Sequence, residues 1–151
     1  MSPLLRLHIM VYAEPSLKAN EAHVAFCVTI PGNKVRYFIF HATEDPSTEN
    51  EMVFERRLRD KDPRGTKTTH QSISLDTFIP KNSFEKLCNN LSATPVPRPR
   101  SNGWNCQSWV HEAMMNMEYA RFLKNGLAQR YYDEMMSIIA ANTTAEGINT
   151  G

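Results

Sequence analysis

The sequence predicts a single α+β domain in which a mainly antiparallel sheet of about five strands packs against a few helices. Two observations carry this prediction. Runs rich in β-branched and aromatic residues fill the first half of the chain, whereas helical spacing of apolar residues dominates the second half. A chain of 151 residues has the usual size of one domain and can bury a core without a metal or disulfide staple.

The first three strands are predicted from local pattern. The run "LRLHIMVYA" (5–13) is rich in residues that favour strands. The runs "HVAFCVTI" (23–30) and "KVRYFIFHA" (34–42) follow, with only "PGN" (31–33) between them. This spacing predicts a hairpin with a three-residue turn, in which the glycine and the asparagine supply positive φ angles.

Two further runs alternate polar and apolar residues, as a half-buried strand does. They are "MVFERRLRD" (52–60) and "KTTHQSISL" (67–75), and the turn signal "KDPRG" (61–65) lies between them. We therefore expect these two runs to form a second hairpin.

A short helix is predicted after the strands. In "SFEKLCNNL" (83–91) the apolar residues share one helical face and Ser83 is a suitable N-cap. The proline-rich "SATPVPRPR" (92–100) cannot be helical, because proline and the residue before it disfavour helical angles. It is predicted to be a connector.

Two longer helices end the chain. Helical spacing runs from 104 to 124, with Gly126 as the stop, and a last helix is expected over 127–141. The polar residues 142–151 are predicted to be a flexible tail. The domain is accordingly placed at 1–141.

Charge and cysteine content limit the classes of partner. The net charge of +1 gives no electrostatic case for nucleic acid or an anionic membrane. Cys27, Cys88 and Cys106 are widely spaced and form no C-x-x-C pair, which argues against a disulfide framework or a zinc knuckle. The apolar run near the N-terminus is broken by Arg6 and His8 and is too short to span a membrane. We expect a cytoplasmic protein with no cofactor, no metal and no membrane partner.

Cys106 is the strongest candidate for chemistry. Asn105 is a preferred N-cap, so Cys106 would occupy the first turn of a helix, where unpaired N–H groups and the helix dipole stabilise a thiolate. The same N–H groups can bind an oxyanion. Cys106 leads an apolar stripe that continues through Val110 and Ala113, so its thiol is expected to face the sheet. His111 is about 140° further round the helix and cannot serve this thiol.

Two histidines are predicted to be neighbours. If the first hairpin turns at Gly32, His23 lies directly across the ladder from His41, on the same face of the sheet. A thiol and two histidines form a plausible catalytic set, with Cys106 as nucleophile, His23 as base and His41 orienting the base. Other candidates for the orienting group are Glu44, Asp45, His70 and Gln71.

These segments resemble the circularly permuted papain-like cysteine enzymes. That group includes the NlpC-type peptidases, the lecithin:retinol acyltransferase-like proteins and the PPPDE-like peptidases. In its permuted members one strand opens with the catalytic histidine, the next carries a second histidine, and an Asn-Cys-x-x-aromatic sequence opens a helix. His23, His41 and "NCQSW" (105–109) match this order. The chain is also similar to small fungal proteins of this type.

The resemblance implies a permuted papain-like fold and a thiol-dependent hydrolase or acyltransferase. The substrate would be a small molecule, peptide or other acyl compound with an amide, ester or thioester carbonyl. Asn105 and Gln107 would support the site or the oxyanion, and Trp104 would line the substrate site.

Three alternatives remain open at this stage. The pocket could host a biosynthetic step, such as cyclisation, lyase chemistry or acyl transfer, that uses the histidines as acid and base. The domain could be a binding module without catalysis. A metal held by Cys106, His23 and His41 is conceivable, but no fourth ligand is evident.

Overall fold

A computed structural model describes residues 3–44, 47, 51–64, 71–96 and 105–144 of the chain. These residues form an α+β domain in which a five-stranded antiparallel sheet packs against three helices, as the sequence predicts. The strands are β1 (Leu4–Tyr12), β2 (His23–Ile30), β3 (Arg36–Glu44), β4 (Met52–Arg59) and β5 (Gln71–Pro80). The helices are α1 (Phe84–Ser92), α2 (Cys106–Tyr119) and α3 (Leu127–Asn142), with single 3-10 turns at Ala19–Glu21 and Lys81–Ser83.

The strand order is β4-β3-β2-β1-β5, so the predicted second hairpin is wrong. β4 pairs with β3 at one edge of the sheet, and β5 pairs with β1 at the other. Alternation of polar and apolar residues identifies a strand with one buried face, but it does not identify the neighbouring strand. The chain after β4 instead crosses the sheet, and Arg64 Nη1 donates a hydrogen bond to His8 Nε2 on β1 at 2.7 Å.

The first hairpin exists, but its register differs from the prediction. Ile30 pairs with Arg36 and Phe26 with Phe40, so the turn is centred on Asn33 and the connection spans 31–35. Among the described residues, positive φ angles occur at Arg121 and Gly126 and at neither residue of the predicted turn pair. The connection of five residues, two more than predicted, reverses the chain without positive φ angles at Gly32 and Asn33. His41 is shifted two positions along β3 relative to the predicted register, and an even shift keeps it on the same face as His23.

Both faces of the sheet carry buried residues on the central strands. On the helix face, Trp109 of α2 packs edge-on against Phe26 and contacts Phe54 at ring-centroid distances of 5.8 and 5.7 Å. The opposite side, which we call the back face, carries a smaller buried cluster made of Met10, Ala25, Cys27 and Ile39. Alternation along β2 and β3 places the side chains of His23 and His41 on the back face, at one end of the sheet.

Helix α2 is shorter than predicted. It ends at Tyr119, and the chain then reverses through Arg121, whose φ is 65°. After the reversal, Leu123 forms an isolated antiparallel bridge with Thr77 of β5 and is buried. Gly126, with φ 89°, caps the start of α3 rather than ending α2.

The remaining helices agree with the sequence. α1 buries Leu87, Cys88 and Leu91 on one face, as its pattern predicts, although Ser83 at its N-cap makes no side-chain capping bond. No helix among the described residues is both long and apolar enough to cross a membrane. Residues 97–100 of the expected connector and 145–151 of the expected tail lie outside the described residues, as does Trp104.

Candidate active site

The N-terminus of α2 is closed by a capping box around Asn105. Asn105 Oδ1 accepts hydrogen bonds from the backbone N–H groups of Gln107 (2.9 Å) and Ser108 (3.4 Å). Ser108 Oγ in return accepts the backbone N–H of Asn105 at 2.9 Å. The predicted N-cap is therefore confirmed, and Cys106 is the first residue of the helix.

Cys106 lies at the end of the sheet where β2 begins. Its side chain is largely buried, and its Sγ–H points to the backbone oxygen of Ala22 at 3.7 Å. Ala22 is the residue directly before His23. A cavity of about 210 Å³ opens here and is lined by Cys106 from the helix and by His23 from the strand. The cavity thus joins side chains that belong to opposite faces of the sheet, because it sits at the sheet's end.

The two predicted histidines form the first part of a hydrogen-bonded chain. His23 Nε2 lies 2.8 Å from His41 Nδ1, and His41 Nε2 lies 2.9 Å from Glu55 Oε1. Glu55 is directly opposite His41 in the β3–β4 ladder. On the other side of His23, the paired Tyr12 of β1 has its ring centroid 5.6 Å from the imidazole centroid. One row of side chains therefore crosses four strands.

The carboxylate sets the direction of the hydrogen bonds. The hydrogen bond from His41 is the main cause that lowers the pKa of Glu55, and the nearby Arg57 lowers it further, while partial burial opposes both. Glu55 is therefore an ionised acceptor, and His41 must carry its proton on Nε2. A neutral His41 then accepts at Nδ1 the proton that His23 donates from Nε2. This assignment leaves Nδ1 as the basic nitrogen of His23.

Glu55 was missed in the sequence analysis because β4 was paired there with β5. The signal was available, since Glu55 is an acidic residue on a strand that can form a hairpin with the strand carrying His41. Of the proposed orienting groups, Glu44 lines the cavity and Gln71 lies across the sheet opposite Val11. Asp45 and His70 lie outside the described residues.

Asn105 and Gln107 hold the turn that precedes β2. Asn105 Nδ2 donates to the backbone oxygen of Asn20 at 3.3 Å. Gln107 Nε2 donates to the backbone oxygens of Ala19 and Ala22 at 2.8 and 2.9 Å. Both residues are buried. They act as support for the site, and the two amide hydrogens of Gln107 are both engaged in it.

His111 is turned away from the cavity, as helical geometry predicts. Its ring stacks on Tyr132 of α3 with a centroid distance of 3.9 Å and an interplanar angle of 10°. Its Nε2 lies 3.2 Å from Gln129 Oε1. The nearest histidine in sequence to Cys106 is therefore part of the α2–α3 packing.

The other two thiols have different surroundings. Burial on the back face raises the pKa of Cys27 to about 11. Burial also raises the pKa of Cys88, which belongs to the apolar face of α1. All three cysteines are thiols rather than disulfides, and no group of three or more His, Cys, Asp and Glu side chains within the described ranges could hold a metal ion. Cys106 is the one that lines the cavity with His23.

Comparison with known proteins gives a family without a known activity. Residues 7–124 match the model of a family described as "Family of unknown function (DUF6540)". The matched region contains the strands that carry His23, His41 and Glu55, together with the whole of α2. No curated protein and no solved structure matches the chain.

Proposed function

The chain belongs to this family of unknown function, and we propose that it is a thiol-dependent hydrolase or acyltransferase acting on an amide, ester or thioester carbonyl. One observation carries the proposal. The thiol of Cys106, at the N-terminus of α2, shares a cavity with His23. His23 is hydrogen-bonded to His41, and His41 is hydrogen-bonded to the carboxylate of Glu55. A nucleophile, a base and groups that orient the base are the parts that covalent acyl transfer requires.

The first step transfers a proton from Cys106 Sγ to His23 Nδ1. Two features of the site favour the resulting ion pair. The N–H groups and the dipole of the first turn of α2 stabilise the thiolate. His41 accepts from the imidazolium, and Glu55 stabilises the positive charge from beyond it.

The thiolate then attacks the carbonyl carbon. The Sγ–C bond forms, the π electron pair moves to the oxygen, and the backbone N–H of Cys106 donates to that oxyanion. Collapse of the intermediate expels the amine, alcohol or thiol, which takes its proton from His23. Water or a second nucleophile, deprotonated by His23, then attacks the thioester and releases the acyl group from Cys106.

The size of the cavity limits the acyl group. A volume of about 210 Å³ is smaller than the roughly 300–1,000 Å³ typical of sites for drug-sized ligands. A short acyl group fits beside Cys106, and the leaving group extends to the surface. The chemistry also requires a reduced thiol, so a cytoplasmic location remains our prediction.

p-Nitrophenyl acetate tests the proposal, because its acetyl group is small and its departing nitrophenolate is coloured. We expect one acetyl group on Cys106, seen as a mass increase of the intact protein and located by peptide mapping. Cys106→Ala should abolish this labelling and the nitrophenolate burst, whereas the control Cys88→Ala should retain both. Acetylation that persists in folded Cys106→Ala, or a wild-type Cys106 no faster than the thiols of the denatured chain, would contradict the proposal.

A further inference from the structure

We propose that Tyr12 is a positioning residue for His23, whose aromatic ring restrains the imidazole on the side away from His41 and stabilises its protonated form. The inference rests on the thiol chemistry proposed above. Tyr12 lies directly opposite His23 in the β1–β2 ladder, so the two side chains share the back face. Tyr12 is not among the described residues that line the cavity, and it therefore acts through His23 rather than on the substrate.

His23 stands between two rings that come from the neighbouring strands. The strand order places β1 on one side of β2 and β3 on the other. The centroid of the Tyr12 ring lies 5.6 Å from that of His23 with 32° between the planes, whereas the His41 ring lies 5.0 Å away at 71°. The Tyr12 ring thus packs obliquely against the imidazole, and the His41 ring meets it edge-on. The hydrogen bond at Nε2 fixes one atom of the imidazole, and the two rings limit its tilt.

The Tyr12 side chain is itself fixed to the back face. Its ring packs against the buried cluster that contains Met10 and Cys27, and its hydroxyl group donates to Met10 Sδ at 3.6 Å. A side chain held in this way can restrain its neighbour, because its own rotamer does not have to change. The contact described with His23 is made by the ring, so phenylalanine at position 12 would keep it.

The ring of Tyr12 also favours a positive charge on the imidazole. The π system of tyrosine attracts a cation that lies within about 6 Å of the ring centroid, and His23 meets this distance. Proton transfer from Cys106 gives His23 that charge. The other titratable groups around His23 in the described chain are His41, Glu55 beyond it, Cys106, and the cavity residues Glu21 and Glu44. All of these groups stay in place when the Tyr12 ring alone is changed, so a change in rate then reports on the ring.

A double-mutant cycle on Cys106 acetylation by p-nitrophenyl acetate tests the proposal. Tyr12→Leu removes the ring and should lower the acetylation rate constant about fivefold, whereas Tyr12→Phe should keep the wild-type rate. In the His23→Ala background, Tyr12→Leu should cause less than about a twofold further loss, because the ring acts through the imidazole that is no longer present. The matched control is Tyr37→Leu, since Tyr37 also packs half-buried against the back-face cluster but lies four residues before His41 on β3.

A fluorinated ring separates charge from shape. Replacement of Tyr12 by pentafluorophenylalanine keeps an aromatic ring of similar size but reverses the charge distribution of its faces. This variant should lose at least as much rate as Tyr12→Leu. It also serves as the deciding variant if Tyr12→Leu does not fold.

The outcomes separate the role of Tyr12 from the proposed function. A loss in Tyr12→Leu and in the fluorinated variant that Tyr12→Phe avoids, and that disappears in the His23→Ala background, supports the positioning role when circular dichroism shows the variants to be folded. That role is overturned by a wild-type rate in the fluorinated variant, by an equal loss in Tyr12→Phe or Tyr37→Leu, or by an undiminished loss in the His23→Ala background. In each of these cases wild-type acetylation still supports the thiol mechanism. Absence of Cys106 acetylation in the wild type overturns the proposed function itself, and the role of Tyr12 with it.

Discussion

Two histidines on the back face of the sheet have charged partners of opposite sign. Arg64 Nη1 donates to His8 Nε2 at 2.7 Å, whereas Glu55 Oε1 accepts from His41 Nε2 at 2.9 Å. Burial is the main cause that lowers the pKa of His8, and the charge of Arg64 lowers it further. His8 is therefore kept neutral, whereas His41 faces a carboxylate that accepts its Nε2–H.

The difference shows how the same side chain serves two purposes on one sheet. His8 ties the chain that follows β4 to the surface of β1, because Arg64 is itself held by Asp62 through hydrogen bonds of 3.0 and 2.8 Å. In the row formed by His23, His41 and Glu55, the carboxylate of Glu55 lies two hydrogen bonds from His23. Under the proposed mechanism, it balances the charge of a proton gained at His23. Under the proposed function, the sign of the partner separates a structural histidine from a catalytic one.

The largest expected effect comes from removing the base. His23→Ala should lower the rate of Cys106 acetylation by p-nitrophenyl acetate at pH 7 by roughly 10²–10⁴-fold, the usual contribution of a positioned general base. His111→Ala is the matched control, since this histidine stacks on Tyr132 away from the cavity. An unchanged rate in folded His23→Ala would exclude His23 as the base.

Removing the charge of Glu55 should have a smaller effect on the acetylation rate. Glu55→Gln keeps an oxygen that can accept from His41 but removes the charge, and a charged hydrogen bond exceeds a neutral one by about 1 kcal/mol. The acetylation rate should therefore fall about fivefold. Glu85→Gln on α1 is the control, because Glu85 also lies near an arginine, with 3.8 Å to Arg56. Equal rates in both variants would show that the charge of Glu55 does not reach His23.

His8 should affect stability without affecting chemistry. Because the folded state lowers the pKa of His8 below its ordinary 6.5, the unfolded chain binds the proton more readily, and the free energy of unfolding falls as the pH drops below about 6.5. The slope from this one group is at most about 1.4 kcal/mol per pH unit. Urea titrations between pH 5 and 8 should show a shallower dependence in His8→Gln, with the acetylation rate unchanged. Identical pH profiles would contradict the assignment of a neutral His8.

Local pattern predicted that each strand and helix exists, although β5 ends at Pro80, five residues beyond its predicted end. The bounds of β2 match the prediction, α3 ends one residue later than predicted, and β1 and α1 are each displaced by one residue. The choice between β3 and β5 as the neighbour of β4 could not be made from alternation, which is the same for either partner. The hairpin register depended on whether the connection had three or five residues, and both lengths are common.

In the candidate site, too, features set by local sequence were predicted and features set by non-local contacts were not. Cys106 was identified from a helix N-cap, and the two histidines from a single hairpin, so each inference needed only neighbouring sequence. Glu55 required the non-local order of the sheet and was therefore missed. The support by Gln107 depends on where α2 meets the chain before β2, and nothing in the local sequence of either segment determines that contact.

The contacts between α2 and the turn before β2 join residues that are 84 to 88 positions apart in the chain. Closing so long a loop costs entropy that only the assembled domain repays. A nascent or unfolded chain therefore carries at Cys106 a thiol of ordinary reactivity. Under the proposed chemistry, rapid acylation of Cys106 becomes a measure of the fraction of molecules that have completed folding.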